Sequence, residues 1–376
     1  MSTHNRGRST EPSQPRSQIE RVLSIRRSTD ESSGADVFIN KESLECPPWA
    51  RGAYGGQIIA QSLLAAYETV PPDFVVHSIY CHFLNAANVD LPITYHVERV
   101  RDGKSFATRV VHVRQHQRLI VSATASFTQD SKRAKVLQHA VPIPSDESPP
   151  GDNLEAITQS AAGQAGEGRP CDCVRSRVEN KGLPHVRRLR QWIRARGRIG
   201  ETSLDAYGSP DESSSTGRGT GPISQDGHRA HVATLAYMTD NYFIGTVFRV
   251  HNASRFSNPL SPHPMLSRSK KDGADAGTVQ EYFDRLAQEE SNDNRDAPQN
   301  DKHVDMMVTL DHTIFFHEPR HFRADEWLLA EMESPWAGNE RGLVVERIWG
   351  HEGTLVATCI QEGVVRLSQH RSDSKL

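Results

Sequence analysis

MMVTLDHTIFFHEP, residues 306–319, is the first of four strand-like runs near the end of the sequence. WLLAEMES (327–334), GLVVERIWGHEG (342–353) and LVATCIQEGVVRL (355–367) follow it. Each run is rich in apolar, β-branched or aromatic residues, and Pro, Asn, Gly or charged clusters separate them. The pattern predicts four neighbouring strands of one antiparallel, meander-like sheet.

Two of these strands carry a polar side chain where an apolar one is usual, Thr309 in VTLDH and Gln361 in CIQEG. We interpret both as part of a site. Threonine is common in strands, so a structural role is the commoner explanation for Thr309 taken alone. A buried amide such as that of Gln361 needs hydrogen-bond partners, although an exposed edge position would also accommodate it.

The first half of the chain shows the same order of elements as the second. In each half the sequence predicts a strand, then a helix with small and apolar residues at helical spacing, then four strands. The first half has a strand and loop at 36–54, a helix beginning at Gly55-Gly56-Gln57 that ends before Pro71, and strands at 74–84, 92–100, 105–115 and 118–128. The second half has an early strand at 187–198 and a helix at 231–248 before the strands of 306–367. LVATCIQEGVV also resembles LIVSATASF, which indicates an internal repeat. We therefore predict an α+β fold of two related halves, each an antiparallel sheet wrapped around a central helix.

The composition of the remaining segments suggests the domain boundaries. We predict a disordered or short N-terminal segment at 1–35, with a helix near 19–25, and a first domain at 36–130. A linker at 131–185 leads to a second domain at 186–370, with polar, low-complexity insertions at about 199–227 and 251–303. A short helix is expected at 278–290 within the second insertion. Residues 371–376 form a tail.

Composition and charge exclude several classes of protein. The chain has 376 residues, of which 36% are hydrophobic, and this is enough for two domains. A net charge of −3 offers no electrostatic case for binding nucleic acid, and no apolar run has the length of a membrane-spanning helix. Five scattered cysteines fit a reducing compartment, and Cys171-Asp172-Cys173 is too tightly spaced for a zinc site, so we predict a loop there.

The sequence ends in Ser374-Lys375-Leu376. A terminal Ser-Lys-Leu is the address that the peroxisomal import receptor reads. The polar residues before it suit an exposed tail. We therefore expect a protein of the peroxisomal matrix with that receptor as a partner.

Asp240 is placed by its spacing inside the second predicted helix, on a face with Tyr237, Ala236 and Ala233 that suits packing against a sheet. Burying an unpaired carboxylate is costly, so an Asp on this face suggests a general base whose pKa burial adjusts. The alternative is an exposed aspartate where the helix stops. From the residues alone the two are about equally supported.

Seven motifs together resemble the acyl-CoA thioesterase II family, the tandem or double hotdog thioesterases. In order they are RGAYGGQIIAQSL (51–63), VHSIYCHFL (76–84), RDGKSFATRVVHVRQ (101–115), RQWIRARG (190–197), LAYMTDNYF (235–243), TLDHTIFFH (309–317) and ATCIQEGVVR (357–366). The resemblance covers most of the chain outside the insertions. Two features depart from the family's pattern: the insertion at about 251–303 and Asn85-Ala86-Ala87 in place of a Pro-Gly type turn.

The resemblance implies a double hotdog fold and hydrolysis of acyl-CoA without a metal or other cofactor. It implies that Asp240, Thr309 and Gln361 hold the hydrolytic water. Gly55, Gly56 and Gln57, which open the first helix, are expected to contact the substrate, although an ordinary tight turn would explain the glycine pair equally well. The resemblance leaves open whether the chain forms a homo-oligomer.

Rival functions have weaker support in the sequence. No G-x-S-x-G motif of an α/β-type serine hydrolase is present. Hydratases of the hotdog superfamily have a histidine five residues after the helix aspartate, where this chain has Gly245. The spacing His321-x-x-x-Asp325 matches some CoA-dependent acyltransferases, but the match is short. A non-catalytic acyl-CoA-binding protein is the remaining alternative.

Overall fold

The computed structural model describes residues 17–28, 36–47, 50, 52–129, 137–150, 170–176, 182–200, 227–256, 276–293 and 302–369. The predicted disorder of residues 1–16, most of the insertion at 199–227, and the tail with Ser374, Lys375 and Leu376 lie outside this part of the chain. The helices are α1 (Gln18–Val22), α2 (Gly55–Tyr67), α3 (His228–Met238), α4 (Thr246–Val250) and α5 (Ala276–Asp293). The strands are β1 (Ile25–Arg27), β2 (Asp36–Asn40), β3 (Phe74–Phe83), β4 (Thr94–Asp102), β5 (Phe106–Gln115), β6 (Arg118–Gln129), β7 (Cys171–Ser176), β8 (Leu189–Ala195), β9 (Val304–Phe316), β10 (Leu328–Gly338), β11 (Arg341–Trp349) and β12 (Leu355–Leu367).

All of these strands belong to one sheet with the order β1-β2-β4-β5-β6-β3-β9-β12-β11-β10-β8-β7. Every pairing between these neighbours is antiparallel, and the two halves join where β3 pairs with β9. Read outward from this seam, β3, β6, β5, β4 and β2 match β9, β12, β11, β10 and β8 in turn. The predicted repeat is therefore confirmed, including the correspondence of β6 with β12.

The long helix of each half lies against the sheet and against the other helix. Eleven residues of α2 and nine of α3 are buried, so each helix is covered on nearly all sides rather than on one face. The two helices touch closely at Gly56, where an added Cβ would lie 2.3 Å from the Tyr237 carbonyl oxygen. Glycine at this position brings the start of α2 against the end of α3, and the polar residues of both halves meet there.

The structure corrects the predicted meander. β10, β11 and β12 do form one, but β9 pairs with β12 and β3 rather than with its sequence neighbour β10. The segment between β9 and β10 is long enough to cross the sheet, so adjacency in sequence does not require pairing. This arrangement puts β9 at the centre of the molecule.

Several predicted boundaries also differ from the observed ones. β7 lies inside the predicted linker, and the Cys171-Asp172-Cys173 segment is an edge strand paired with β8 rather than a loop. α1 ends at Val22 and a strand begins at Ile25, within the range predicted as one helix. The helix expected at 278–290 in the insertion is present as the longer α5.

Candidate active site

Asp240 lies just beyond α3 rather than within it. The helix ends at Met238 with Thr239 as its C-cap, and a turn follows before α4. The prediction of a mid-helix aspartate is therefore wrong, but the carboxylate is far from exposed, since only 12% of the side chain is accessible. The end of α3 is covered by α2 and the sheet, and this makes a helix-end position a buried one.

Two donors from distant parts of the chain hold this carboxylate. The Gly56 backbone N–H donates to Asp240 Oδ2 at 3.0 Å, and the Gln361 amide donates to Oδ1 at 2.9 Å. Gly56 lies in the first turn of α2, where free N–H groups and the helix dipole favour an anion. An added Cβ on neighbouring Gly55 would lie 2.7 Å from Oδ2, so a glycine is needed for the carboxylate to sit there.

Burial raises the pKa of Asp240 to about 6, from an ordinary value of 3.8. Removal from water is the largest cause, and the hydrogen bonds from Gln361 and Gly56 act in the opposite direction because they favour the charged form. A carboxylate with this pKa is ionised near neutral pH yet basic enough to accept a proton from water.

Thr309 lies beside the Gln361 amide because β9 contains a bulge. Asp311 pairs with Glu362, but Thr309 pairs with the next residue of β12, Gly363, so Leu310 is an extra residue in the ladder. Side chains two apart normally share a face of a strand, and a bulge shifts that alternation by one. The bulge turns Thr309 to the face that carries His312 and Gln361, and Thr309 Oγ1 lies 3.3 Å from Gln361 Nε2.

His312 is a member of the cluster that the sequence analysis did not assign. It is fully buried, opposite Gln361 in the β9–β12 pairing, and burial lowers its pKa to about 3, so the ring is neutral. The Thr239 hydroxyl donates to the Ala236 carbonyl at 2.9 Å and therefore accepts from His312 Nε2 at 3.0 Å. The proton then sits on Nε2, which leaves Nδ1 to accept from Gln361 Nε2 at 3.1 Å.

This chain of hydrogen bonds determines the orientation of the Gln361 amide. One N–H points to His312 Nδ1, and the other lies between Asp240 Oδ1 and Thr309 Oγ1. Gln361 is fully buried, as the sequence suggested for an amide with partners. A histidine next to Thr-x-Asp on an otherwise apolar inward face was the signal in the sequence that could have identified His312.

A cavity of about 530 Å³ opens in front of this cluster, a size typical of small-molecule sites. Asp240, Thr309 and Gly55 line it, whereas Gln361 lies behind the first two. Most of the remaining lining is apolar or aromatic, and five residues of it are polar or charged. The apolar, aromatic and glycine residues are Pro47, Ala50, Gly52, Ala53, Tyr54, Ile58, Phe83, Leu84, Ala86, Ala87, Tyr242, Phe243, Ile244, Gly245, Phe248, Phe256, Leu286, Met306, Met307, Val308 and Leu310. The polar or charged ones are Asn85, Asn241, Arg249, Arg255 and Asp305.

The residues predicted to contact substrate are placed differently from one another. Gly55 lines the cavity, but Gly56 faces Asp240 and Tyr237 instead. The Gln57 side chain is fully buried, accepts from Glu45 N–H at 2.8 Å and donates to the Val22 carbonyl at 3.1 Å. Its amide therefore holds the N-terminal segment and the loop before α2, and the assignment of Gln57 to substrate contact is corrected accordingly.

The acyltransferase-like spacing does not assemble a site. His321 pairs with Glu318 at 3.0 Å and is largely exposed. Asp325 instead accepts from the Arg323 guanidinium and from the Ile199 backbone N–H. Because each partner is engaged elsewhere, His321 and Asp325 do not form a catalytic pair.

Two family models match this chain, one in each half. "Acyl-CoA thioesterase N-terminal domain" matches residues 46–128, and "Acyl-CoA thioesterase C-terminal domain" matches residues 218–365. The matched regions contain both long helices and every member of the polar cluster. The chain belongs to the acyl-CoA thioesterase family.

Relatives of this thioesterase family cover nearly the whole chain. Acyl-coenzyme A thioesterase 8 of Mus musculus is 32% identical over 347 residues, which are 88% of this chain and 85% of the relative. The peroxisomal acyl-coenzyme A thioester hydrolase 1 of Saccharomyces cerevisiae is 23% identical and covers 89% of this chain and 91% of its own length. The crystal structure of an acyl-CoA thioesterase II from Mycobacterium marinum superposes with a TM-score of 0.56 at 24% identity, covering 94% of this chain and 98% of its own. The fold is that of the thioesterase II structures, the double hotdog.

Among the residues that the structure describes, no helix is both long and apolar enough to cross a membrane.

Proposed function

We propose that this protein hydrolyses the thioester of acyl-CoA to free fatty acid and coenzyme A, with a water activated by Asp240 and oriented by Thr309 and Gln361. Membership of the acyl-CoA thioesterase family supports the reaction. The observation that supports the residues is their convergence: the Asp240 carboxylate and the Thr309 hydroxyl, from separate segments, both lie within 3.3 Å of Gln361 Nε2. Asp240 and Thr309 face an apolar cavity, where an acyl thioester would bind.

The proposed step needs only proton transfer and positioning. A thioester carbonyl is already electrophilic, so the water oxygen attacks the carbonyl carbon while Asp240 takes a proton from the water. The carbon–sulfur bond then breaks, and Asp240 passes that proton to the departing thiolate of coenzyme A, which leaves as the thiol. The neutral His312 ring, held by Thr239, keeps the Gln361 amide directed at Asp240 and Thr309, so the site is preorganised before substrate arrives.

Release of free thiol from purified protein and a series of acyl-CoA thioesters tests the reaction directly. Thiol release in step with fatty acid production is the expected result. Binding of acyl-CoA without any turnover would support a non-catalytic binding module instead. The hydratase alternative requires a histidine five residues after Asp240, and this chain has Gly245 at that position.

The activity is expected to depend on pH through Asp240. A general base works in its ionised form, so kcat/KM should fall about tenfold per pH unit below a midpoint near the Asp240 pKa of about 6, and should level off above it. His312 should add no transition in this range, since its pKa is about 3. The measurement is a pH profile of kcat/KM for one acyl-CoA whose acyl chain has no double bonds. A profile that stays flat down to pH about 4, the ordinary value for aspartate, would contradict Asp240 as the base.

We also infer import into the peroxisomal matrix, supported by Ser374-Lys375-Leu376 at the end of the sequence and by the name of the yeast relative. Deleting Leu376 from a protein tagged at its N-terminus should move the fluorescence from puncta that overlap a peroxisomal marker to the cytosol. Ser368→Ala, a nearby substitution upstream of the tripeptide, serves as the control and should leave the puncta in place. Unchanged puncta after the Leu376 deletion would show that the tripeptide does not direct import.

A further inference from the structure

The cavity in front of Asp240 and Thr309 extends along β9 toward the start of that strand. Besides Thr309, its lining includes Met306 and Asp305. The first residue of β9 lies beside the segment after α4, since Val304 N–H donates to the Ser254 carbonyl at 2.7 Å. Arg255 and Phe256, which follow Ser254, therefore stand at this end of the cavity and are part of its lining.

The helix of the second insertion is docked at the same end. Glu290 of α5 is 2% exposed, and its carboxylate accepts from the backbone N–H groups of Arg255 at 3.1 Å and Phe256 at 2.9 Å. Phe283 and Leu286 of α5 are also buried, and the ring centroids of Phe283 and Phe256 are 6.2 Å apart. Leu286 lines the cavity that contains Asp240. The insertion therefore contributes a wall of the proposed active site.

The two ends of the cavity differ in chemistry. The end near α5 has large apolar and aromatic side chains, including Ile244, Phe248, Phe256, Leu286 and Met306. Two arginines are also present there, and their guanidinium groups stack on rings, Arg249 on Tyr242 at 4.8 Å and Arg255 on Phe256 at 5.6 Å. At the opposite end the lining combines Ile58, Phe83 and the half-exposed Leu84 with smaller or more polar residues. These are Pro47, Ala50, Gly52, Asn85 and Ala86. An acyl chain is removed from water more completely at the α5 end, where Phe248 and Leu286 are buried.

The length of this end can be judged from β9. Val304 and Thr309 pair with Leu367 and Gly363 of β12, which are four residues apart because Asp305 is a second extra residue in β9. A strand rises about 3.3 Å per residue, so the span is roughly 13 Å. The hydrocarbon core of a bilayer is about 30 Å thick and is made of two layers of acyl chains, so one long chain occupies about 15 Å. This span is slightly shorter than one such chain, so the cavity between the proposed water and α5 takes most of a long acyl chain.

We propose that α5 closes the end of the acyl pocket and that Leu286 sets the longest acyl chain that the enzyme accepts, a chain of the long class. The proposal rests on the proposed thioester hydrolysis. It assigns the insertion at 251–303 a role in specificity, which neither its composition nor its position in the sequence implies.

The test compares kcat/KM across saturated acyl-CoA thioesters from butanoyl to eicosanoyl. In Leu286→Trp the activity on palmitoyl-CoA and longer substrates should fall about tenfold or more, because a few misplaced carbon atoms in an apolar pocket are worth that much. Its activity on butanoyl-CoA should fall much less, because a four-carbon chain ends well before the far end of the pocket. In Leu286→Ala the longest accepted chain should increase by two or more carbon atoms. Gln288→Ala, at an exposed position of α5, is the matched control and should leave the profile unchanged.

The outcomes separate the role of α5 from the proposed hydrolysis. An equal change on every chain length, or no change in either Leu286 variant, would overturn the proposal. Leu286→Phe, a smaller intrusion, decides the matter if tryptophan prevents folding and all activity is lost together. If wild-type protein hydrolyses no acyl-CoA, the proposed function fails. If it does, and Asp240→Asn abolishes hydrolysis while the Leu286 profiles stay unchanged, only the role of α5 fails.

Discussion

Replacing Asp240 by asparagine is expected to lower kcat by about 10²-fold or more, the usual scale for a positioned proton-transfer group. Asparagine keeps the shape of the side chain and can still accept from the Gly56 N–H, but it cannot take a proton from water. Its amide nitrogen would also face the Gln361 amide nitrogen. Two donors would then meet where Gln361 now donates to Asp240 Oδ1 at 2.9 Å. The measurement is steady-state release of thiol at saturating acyl-CoA.

The control for this variant is Asp90→Asn, which removes one negative charge from an exposed aspartate outside the cavity lining. That substitution should leave kcat within about twofold of wild type. The fold of both variants is checked by their thermal unfolding. Near-normal turnover by Asp240→Asn would rule out the carboxylate as the base and would leave the cluster a structural feature.

Gln361→Ala is expected to have a similarly large effect, about 10²-fold on kcat, for a different reason. Alanine removes the amide that contacts Asp240, Thr309 and His312 together. It also removes a hydrogen bond that lowers the pKa of Asp240. The midpoint of the pH profile should therefore move to higher pH, which a merely structural role for Gln361 would not cause.

The neighbouring residue offers a matched control. Glu362 follows Gln361 in β12, points to the other face of the sheet and pairs with Arg341 at 2.9 Å. Glu362→Ala should leave both kcat and the pH midpoint essentially unchanged. If Gln361→Ala behaves like Glu362→Ala, the amide does not orient the catalytic groups.

The sequence predicted α2 correctly but not the position of Asp240 relative to α3. The small and apolar residues between Gly55 and Tyr67 predict a buried helix, and they form one because their spacing leaves no polar face. The same reasoning placed Asp240 inside α3, since LAYMTDNYF continues the helical pattern across the point where α3 stops. Helix ends depend on what covers them, and here α2 and the sheet cover the turn after Met238.

The neighbours of β9 in the sheet could not be predicted from the sequence of that strand either. Its apolar run predicts a strand, but nothing within the run states which strands flank it. The pairing with β3 and β12 depends on how the two halves come together. The same holds for the place of α5 at the cavity, since Glu290 of α5 accepts from the backbone of Arg255 and Phe256, 35 and 34 residues earlier in the sequence.

By itself the sequence determined the alternation of helix and strands and the internal repeat, because periodicity and residue type are local properties. Its resemblance to the acyl-CoA thioesterase II family singled out Asp240, Thr309 and Gln361. The tertiary structure alone decided that these groups meet. The bulge at Leu310 turns Thr309 to the face of Gln361, and His312 and Thr239 hold that amide toward Asp240. The close contact at Gly56 brings the N-terminus of one helix to the carboxylate that follows the other. The physical reason is that a bulge, a helix contact and a hydrogen-bond chain are relations between segments far apart in the sequence, and only packing brings those segments together.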